Sequence, residues 1–230
     1  MEKQNNGILN SNDKNKYMEL IHPIFSNIKL YCLVTCENDL CKIDESLELF
    51  YEVLKENFNA LTANDFYSVS KEMLTHSYGN MMIMPQKIIN NVNDFFCSEN
   101  VTDDNKKVFS INLALTDGIT ISINSIGRVQ AYCLENDNFI QVSNGSNEYI
   151  GTKKKNSFSQ YVVESELIEK IIFINDSENK GIDNNILDEF LDSNNFVQII
   201  NQKNNKQKSM IKKYHIMWYF FMVFVLKNLI

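Results

Sequence analysis

Four short runs from residue 108 onward constrain the fold more than anything else in the chain. "VFSINLAL", "ITISINSI", "RVQAYCLE" and "FIQVS" all have strand character, and "TDG", a glycine at position 127 and "NDN" separate them. Strands spaced this tightly read as a β-meander. Upstream, residues 28 to 36 form another apolar, partly alternating run, a buried strand that delivers Thr35, Cys36, Glu37 and Asn38 to a sheet edge. "KIIFIND", after an irregular stretch around Gly151, reads as one more buried strand.

Helical spacing fills the remainder. Asp44, as an acidic N-cap, precedes Leu47, Phe50, Tyr51, Leu54 and Phe58, which share one face of a helix. A second helix is predicted from Asn64 to about His76, with Phe66, Val69, Met73 and Leu74 on one side. Pro85 is expected to open a third, striped by Ile88, Ile89, Val92, Phe95 and Phe96. Short helices are expected at "NNILDEFL" and near "FVQIIN". Helices, then a meander, then a strand and helices predict an α+β fold, a two-sheet antiparallel β-sandwich flanked by helices, and not a doubly wound parallel sheet. Val34 and Ile172 to Ile174 are expected on adjacent central strands.

A chain of 230 residues that is 44% hydrophobic and 22% charged can bury one good-sized core. Its formal charge of −7 argues against nucleic acid as a partner, because phosphate neutralisation needs a basic face. The single arginine, Arg128, limits bidentate phosphate recognition, for which lysine is a poor substitute. The five cysteines, Cys32, Cys36, Cys41, Cys97 and Cys133, are odd in number and read as reduced thiols. Cys32, Cys36 and Cys41 lack the tight Cys-x-x-Cys spacing of a zinc knuckle and have no histidine close by. His22 and His76 lie outside any triad or ligand pattern and read as surface or satisfied core positions.

The C-terminal stretch differs from everything before it. After the basic "KNNKQKSMIKK", the run from Ile216 to Leu226 is apolar without a break. A spanning helix needs about 20 apolar residues, so the segment is marginal in length. Tyr214, Trp218 and Tyr219 suit a membrane interface, and Lys206, Lys208, Lys212 and Lys213 would hold the near side in the cytoplasm. The alternative is a terminal core strand or helix. The absence of a polar face favours a transmembrane helix. This divides the chain into a main domain over residues 1–205, a basic linker or remnant of a last strand over 206–213, and a tail anchor over 214–230.

The order of these motifs resembles the metal-dependent PPM, or 2C-type, protein serine/threonine phosphatase family in a divergent form. That family opens with G-x-x-R-x-x-N-E-D, and here Gly7 is followed by Asn10, Asp13, Lys14 and Asn15, with Tyr17 in the usual aromatic position. The family's V-A-D-G strand end is matched by Val34, Thr35, Cys36 and Glu37. Its V-G-D-S-R-A-Y hairpin is matched by Ile126, Gly127, Arg128, Val129, Gln130, Ala131 and Tyr132. "YIG" at 149–151 stands where A-L-G is common, and "IIFINDS" places Asp176 on the aspartate of L-L-x-S-D-G, with Ser177 on its glycine. Gln207, Lys208, Ser209 and Met210 are the nearest equivalent of the terminal D-N-x-T.

The resemblance implies a site in which strand-end aspartates hold two Mg²⁺ or Mn²⁺ ions, a bridging water attacks phosphate, and an arginine orients it. Under that alignment Asn10 replaces the arginine, Asn15 the first aspartate, Cys36 the central aspartate and Glu37 the glycine whose carbonyl is a ligand. Arg128 and Gln207 stand in place of two further aspartates, and Asp176 alone is retained. Hard cations require carboxylate or carbonyl oxygen. No metal cofactor is therefore expected; Mn or Mg would enter only if Asp176 and Glu37, with Asp13 nearby, rebuilt a site.

Three functions follow. The first is a pseudophosphatase, tethered to the membrane by its tail with the main domain in the cytoplasm, that binds a protein partner such as a phosphoprotein or kinase in signalling. The second is a weakly active Mn/Mg-dependent serine/threonine phosphatase. The third is a structural component of a membrane complex that has only inherited the fold. Phosphate recognition around Arg128 would need Lys14, Lys16 or backbone amides to help.

Overall fold

The computed structural model describes residues 14–38, 42–62, 65, 73–102, 105–136, 138–143, 146–153, 157–175, 200–201 and 222–225. β1 Asn15–Ile21, which the sequence pattern does not predict, precedes the strands expected from alternation, which form where the pattern puts them: β2 Lys29–Cys36, β3 Phe109–Thr116, β4 Thr120–Ile126, β5 Val129–Glu135 and β6 Asn138–Ser143. Further on are β7 Ser159–Glu164, β8 Lys170–Asn175, β9 Ile200–Asn201 and β10 Met222–Val225. Two helices complete the described residues, α1 Ile43–Asn59 and α2 Met73–Thr102.

The strands make two sheets. The first has the order β1-β2-β3-β4-β7, with every neighbouring pair antiparallel. The second runs β10-β8-β5-β6, again antiparallel, and β9 joins β8 in parallel. This is the expected α+β sandwich, but the meander is divided. β3 and β4 pair in the first sheet, β5 and β6 in the second, and the chain crosses between sheets at Gly127, whose φ of +89° suits only glycine without strain. Val34 and Ile172 to Ile174 accordingly lie in different sheets, not on adjacent strands.

The central strands β2, β3 and β4 of the first sheet are buried on both faces and sort their side chains by alternation. Leu30, Cys32, Val34 and Cys36 of β2, with Phe109, Ile111, Leu113 and Leu115 of β3, pack toward the helices. Leu47, Phe50, Leu54 and Phe58 of α1 meet them, as do Met81, Met84, Ile88, Val92 and Phe96 of α2. At the centre, the Phe109 ring stands 4.9 Å from Phe50 and 4.8 Å from Phe96. The other faces, with Tyr31, Leu33, Ala114, Ile121 and Ile123, pack against Ala131, Cys133, Ile171 and Phe173 of the second sheet.

Several local expectations are corrected. α1 begins at Ile43 with Lys42 as its N-cap residue, so Asp44 sits in the first turn, where its charge still suits the helix dipole. Pro85 lies inside α2 and does not open a helix. The buried stripe Met81, Met84, Ile88, Ile89, Val92 and Phe96 continues across it, and that packing outweighs the cost of about 3 kcal/mol for an interior proline. Residues 73–76 of the expected second helix belong to α2, while Phe66 and Val69 lie outside the described residues. β7 was not foreseen. Ile200 and Asn201 are strand where "FVQIIN" suggested helix, and "NNILDEFL" lies outside the described residues. Of the expected C-terminal helix, the described residues Met222–Val225 are instead a strand, paired with β8 from Phe173↔Met222 to Lys170↔Val225. No helix among the described residues is long and apolar enough to cross a membrane.

Two buried asparagines of α2 fix the chain that leads into the site. Asn93 donates to the Lys153 carbonyl (2.9 Å) and accepts from the Gly151 N–H (3.0 Å), and Asn100 bridges the carbonyls of Lys107 (2.8 Å) and Gly151 (2.9 Å). A Cβ at Gly151 would lie 2.5 Å from the Lys107 carbonyl oxygen, so the "YIG" glycine is a packing requirement. His22 is a satisfied core residue: Nε2 faces the Leu61 carbonyl at 3.2 Å and Nδ1 accepts from the Ile24 and Phe25 N–H groups at 3.3 Å.

Candidate functional site

Three strand ends meet at one edge between the sheets. Asn15, the first residue of β1, stands opposite Thr35 of β2, and the Thr35 hydroxyl donates to Asn15 Oδ1 at 2.6 Å. Asn175, the last residue of β8, reaches across from the second sheet and donates its Nδ2 to the same oxygen at 2.7 Å. A carbonyl oxygen has two lone pairs, and here both have donors. Asn15 and Thr35 are buried, and the Cys36 N–H to Lys14 carbonyl bond (2.7 Å) pins the start of β1 beside them.

A second group lies on β3 beside this one. Ser110 Oγ donates to the Glu37 carboxylate and accepts the Arg128 backbone N–H at 3.0 Å. Gly127 makes the approach possible, because a Cβ there would come within 2.1 Å of Ser110 Oγ. Ser146 closes the turn, with its N–H on the Gly127 carbonyl at 2.7 Å and its hydroxyl accepting from the Gly127 N–H at 3.0 Å. Two residues further along β3, Asn112 Nδ2 donates to the Gln130 carbonyl of β5 at 2.9 Å, while its Oδ1 accepts from Ser125. The two sheets are thus bridged by the amides of Asn175 and Asn112, with the Glu37 carboxylate held beside them on Ser110.

The residues singled out from the sequence divide accordingly. Asn15 is in the cluster, and Glu37 and the backbone of Arg128 meet at Ser110. The Arg128 side chain is exposed. Cys36 is buried on the opposite, helix-facing side, its thiol 3.7 Å from the Asn38 carbonyl; the residue that β2 presents between the sheets at this point is Thr35. Lys16 pairs with Glu48 at 2.6 Å and lies over the Tyr51 ring, away from the edge. Asn10, Asp13, Asp176 and Gln207 lie outside the described residues. Thr35, Ser110, Asn112 and Asn175 were missed, although the two-residue period of their strands was the signal that pointed to them.

Among the described residues, no group of three His, Cys, Asp or Glu side chains is placed to hold a metal ion. Mg²⁺ and Mn²⁺ favour carboxylate oxygen, whereas the three strand ends offer two amides and a hydroxyl already bonded to one another, so these residues do not fit such an ion. Burial pushes Cys32 and Cys133 well above the ordinary thiol range, with Glu135 adding to the effect at Cys133.

No protein-family profile matches the chain, and no curated protein matches it in sequence. Solved structures do. The catalytic domain of the serine/threonine protein phosphatase PstP, in complex with two manganese ions, superposes with a TM-score of 0.55 at 10% identity over 80% of each chain. A variant of a bacterial serine phosphatase gives 0.54 at 14% identity, covering 70% of this chain and 68% of that one. The S. agalactiae serine/threonine phosphatase gives 0.52 at 13% identity, over 72% and 74%. The chain has the fold of the PPM-type serine/threonine phosphatases.

Proposed function

We propose that this chain is a PPM-fold pseudophosphatase, a non-catalytic module that works by binding another protein. The observation that carries the reading is the strand-end set Asn15, Thr35 and Asn175, two amides and a hydroxyl that satisfy one another where a cation-dependent phosphatase relies on carboxylates. A two-metal mechanism lowers the pKa of a bridging water and clamps the phosphoryl oxygens, and both effects disappear without the ions. Full-length protein with Mn²⁺ or Mg²⁺ is expected to give no hydrolysis of para-nitrophenyl phosphate above background. Cys36→Asp should create none, since that side chain faces the helices. Saturable Mn²⁺-dependent turnover that disappears in Asp176→Ala would instead establish the weakly active phosphatase.

A phosphoprotein is the partner class that the fold favours, with the exposed guanidinium of Arg128 at the rim as its anchor. Calorimetry with a phosphoserine peptide and its unphosphorylated twin tests this. Binding of the phosphorylated form alone, lost in Arg128→Ala, is expected; equal binding of both would leave a protein-binding module that does not read phosphate. The pairing of Met222–Val225 with β8 supports the tail as a strand of the sandwich in place of an anchor.

A further inference from the structure

We propose that the Asn15–Thr35–Asn175 set is a latch that does the cross-sheet tying a cation would do in a metal-bound edge, so that the domain's stability depends on the Asn15 amide and not on divalent metal. The proposal rests on the reading that no cation is held at these strand ends, and it concerns what holds the edge together, not what the edge catalyses. The geometry carries it. One oxygen, Asn15 Oδ1, receives a hydroxyl from its own sheet at 2.6 Å and an amide from the facing sheet at 2.7 Å. Both donors turn their positive ends toward that oxygen, so a cation could reach it only by displacing one of them. Asn112 Nδ2 to the Gln130 carbonyl of β5 (2.9 Å) repeats the cross-sheet tie with a neutral side chain, and the Arg128 N–H, in the crossing between the sheets, donates to Ser110 Oγ (3.0 Å). Asn15 and Thr35 are buried in the same edge, where an unsatisfied polar group is expensive, so removing Asn15 takes from Thr35 and Asn175 the acceptor they share.

The test uses the full chain, unfolded by urea with EDTA, Mn²⁺ or Mg²⁺ present. Wild-type protein is expected to give the same midpoint in all three. Asn175→Asp, which keeps the shape but removes the N–H and sets an acceptor against Asn15 Oδ1, is expected to raise the unfolding equilibrium constant on the order of tenfold. In a double-mutant cycle, Asn15→Ala and Asn175→Ala together should cost clearly less than the sum of the two singles. The combined variant Asn15→Asp, Thr35→Asp, Asn175→Asp should fold less well in EDTA and recover with Mn²⁺, because carboxylates would then converge with nothing between them. A wild-type midpoint that rises saturably with Mn²⁺, or strictly additive single variants, would overturn the latch. Should Asn15→Ala fail to fold, Asn175→Asp and the metal series still decide the matter. The two readings fail separately: phosphate-ester turnover with metal-independent stability sinks the functional reading alone, and metal-dependent stability without turnover sinks the latch alone.

Discussion

Phe109 and Ser110 are neighbours on one strand and belong to two differently built interiors. Phe109 enters the layer between the first sheet and the helices, where Phe50 and Phe96 pack around it within an apolar cluster. Ser110 enters the layer between the sheets, which is apolar in its middle but lined at the strand ends by Asn15, Thr35, Asn112 and Asn175. The helix-facing layer is held by area removed from water, a term that tolerates small displacements. The inter-sheet edge is held by directed hydrogen bonds, which do not. Both layers thus stabilise the sandwich, the first through apolar area and the second also through bonds that fix the geometry of its edge.

The largest expected effect tests which interior the C-terminal segment serves. Because β10 covers β8, deleting residues 214–230 should abolish the cooperative urea transition, leaving Ile171 and Phe173 beside an open edge. A truncated protein that stays soluble with an unchanged transition would return the tail to the membrane-anchor reading.

Next comes the adjacent pair on β3. Phe109→Ala should cost about 3–5 kcal/mol, the usual price of emptying a packed aromatic site. Ser110→Ala should cost about 1–3 kcal/mol, since it removes no apolar area but leaves the Glu37 carboxylate without its hydroxyl donor and the Arg128 N–H without its acceptor. Urea denaturation of both variants gives the ratio directly. If Ser110→Ala proved as costly as Phe109→Ala, the distinction between the two layers would collapse.

The same contrast explains what could be read from the sequence. Apolar patterning locates β2 to β6, β8 and the buried faces of both helices, because area burial leaves a periodic signature in each segment alone. β7 escaped because its partner β4 lies more than thirty residues away and its own residues are half polar. Pro85 misled because local propensity yields to a buried stripe that spans it. At the site, aligning motif letters put Cys36 at the central position, whereas the two-residue period puts Cys32, Val34 and Cys36 together on the helix face and leaves Thr35 between the sheets. Asn175 follows from the same parity, sharing the inward face of β8 with Ile171 and Phe173. Hydrogen bonds between strands 160 residues apart leave no trace in either segment.

The smallest expected effect lies outside both interiors, in the loop that leads to β7. Glu148 binds the Lys153 ammonium and both the N–H and the hydroxyl of Ser157, the last at 2.8 Å. These contacts, Lys153 first, pull its carboxyl from the ordinary 4.5 down to about 2. A depressed carboxylate adds stability that is fully present above its unfolded-state pKa and lost as pH falls through the folded one. Here that window runs from 4.5 down to about 2. Glu148→Gln should therefore flatten the fall in urea midpoint across this window by lowering the neutral-pH midpoint toward the acid value, and by only a small amount, because the group is solvated and surface ion pairs contribute little. The neutral latch residues Asn15, Thr35 and Asn175 should contribute no slope of their own over the same range, since none of them titrates. An unchanged acid limb in Glu148→Gln would mean that the clamp is electrostatically silent. An acid limb that vanished instead with Asn175→Ala would mean that the latch is coupled to a titrating group, and the contrast between a charged surface loop and a neutral latch would fail.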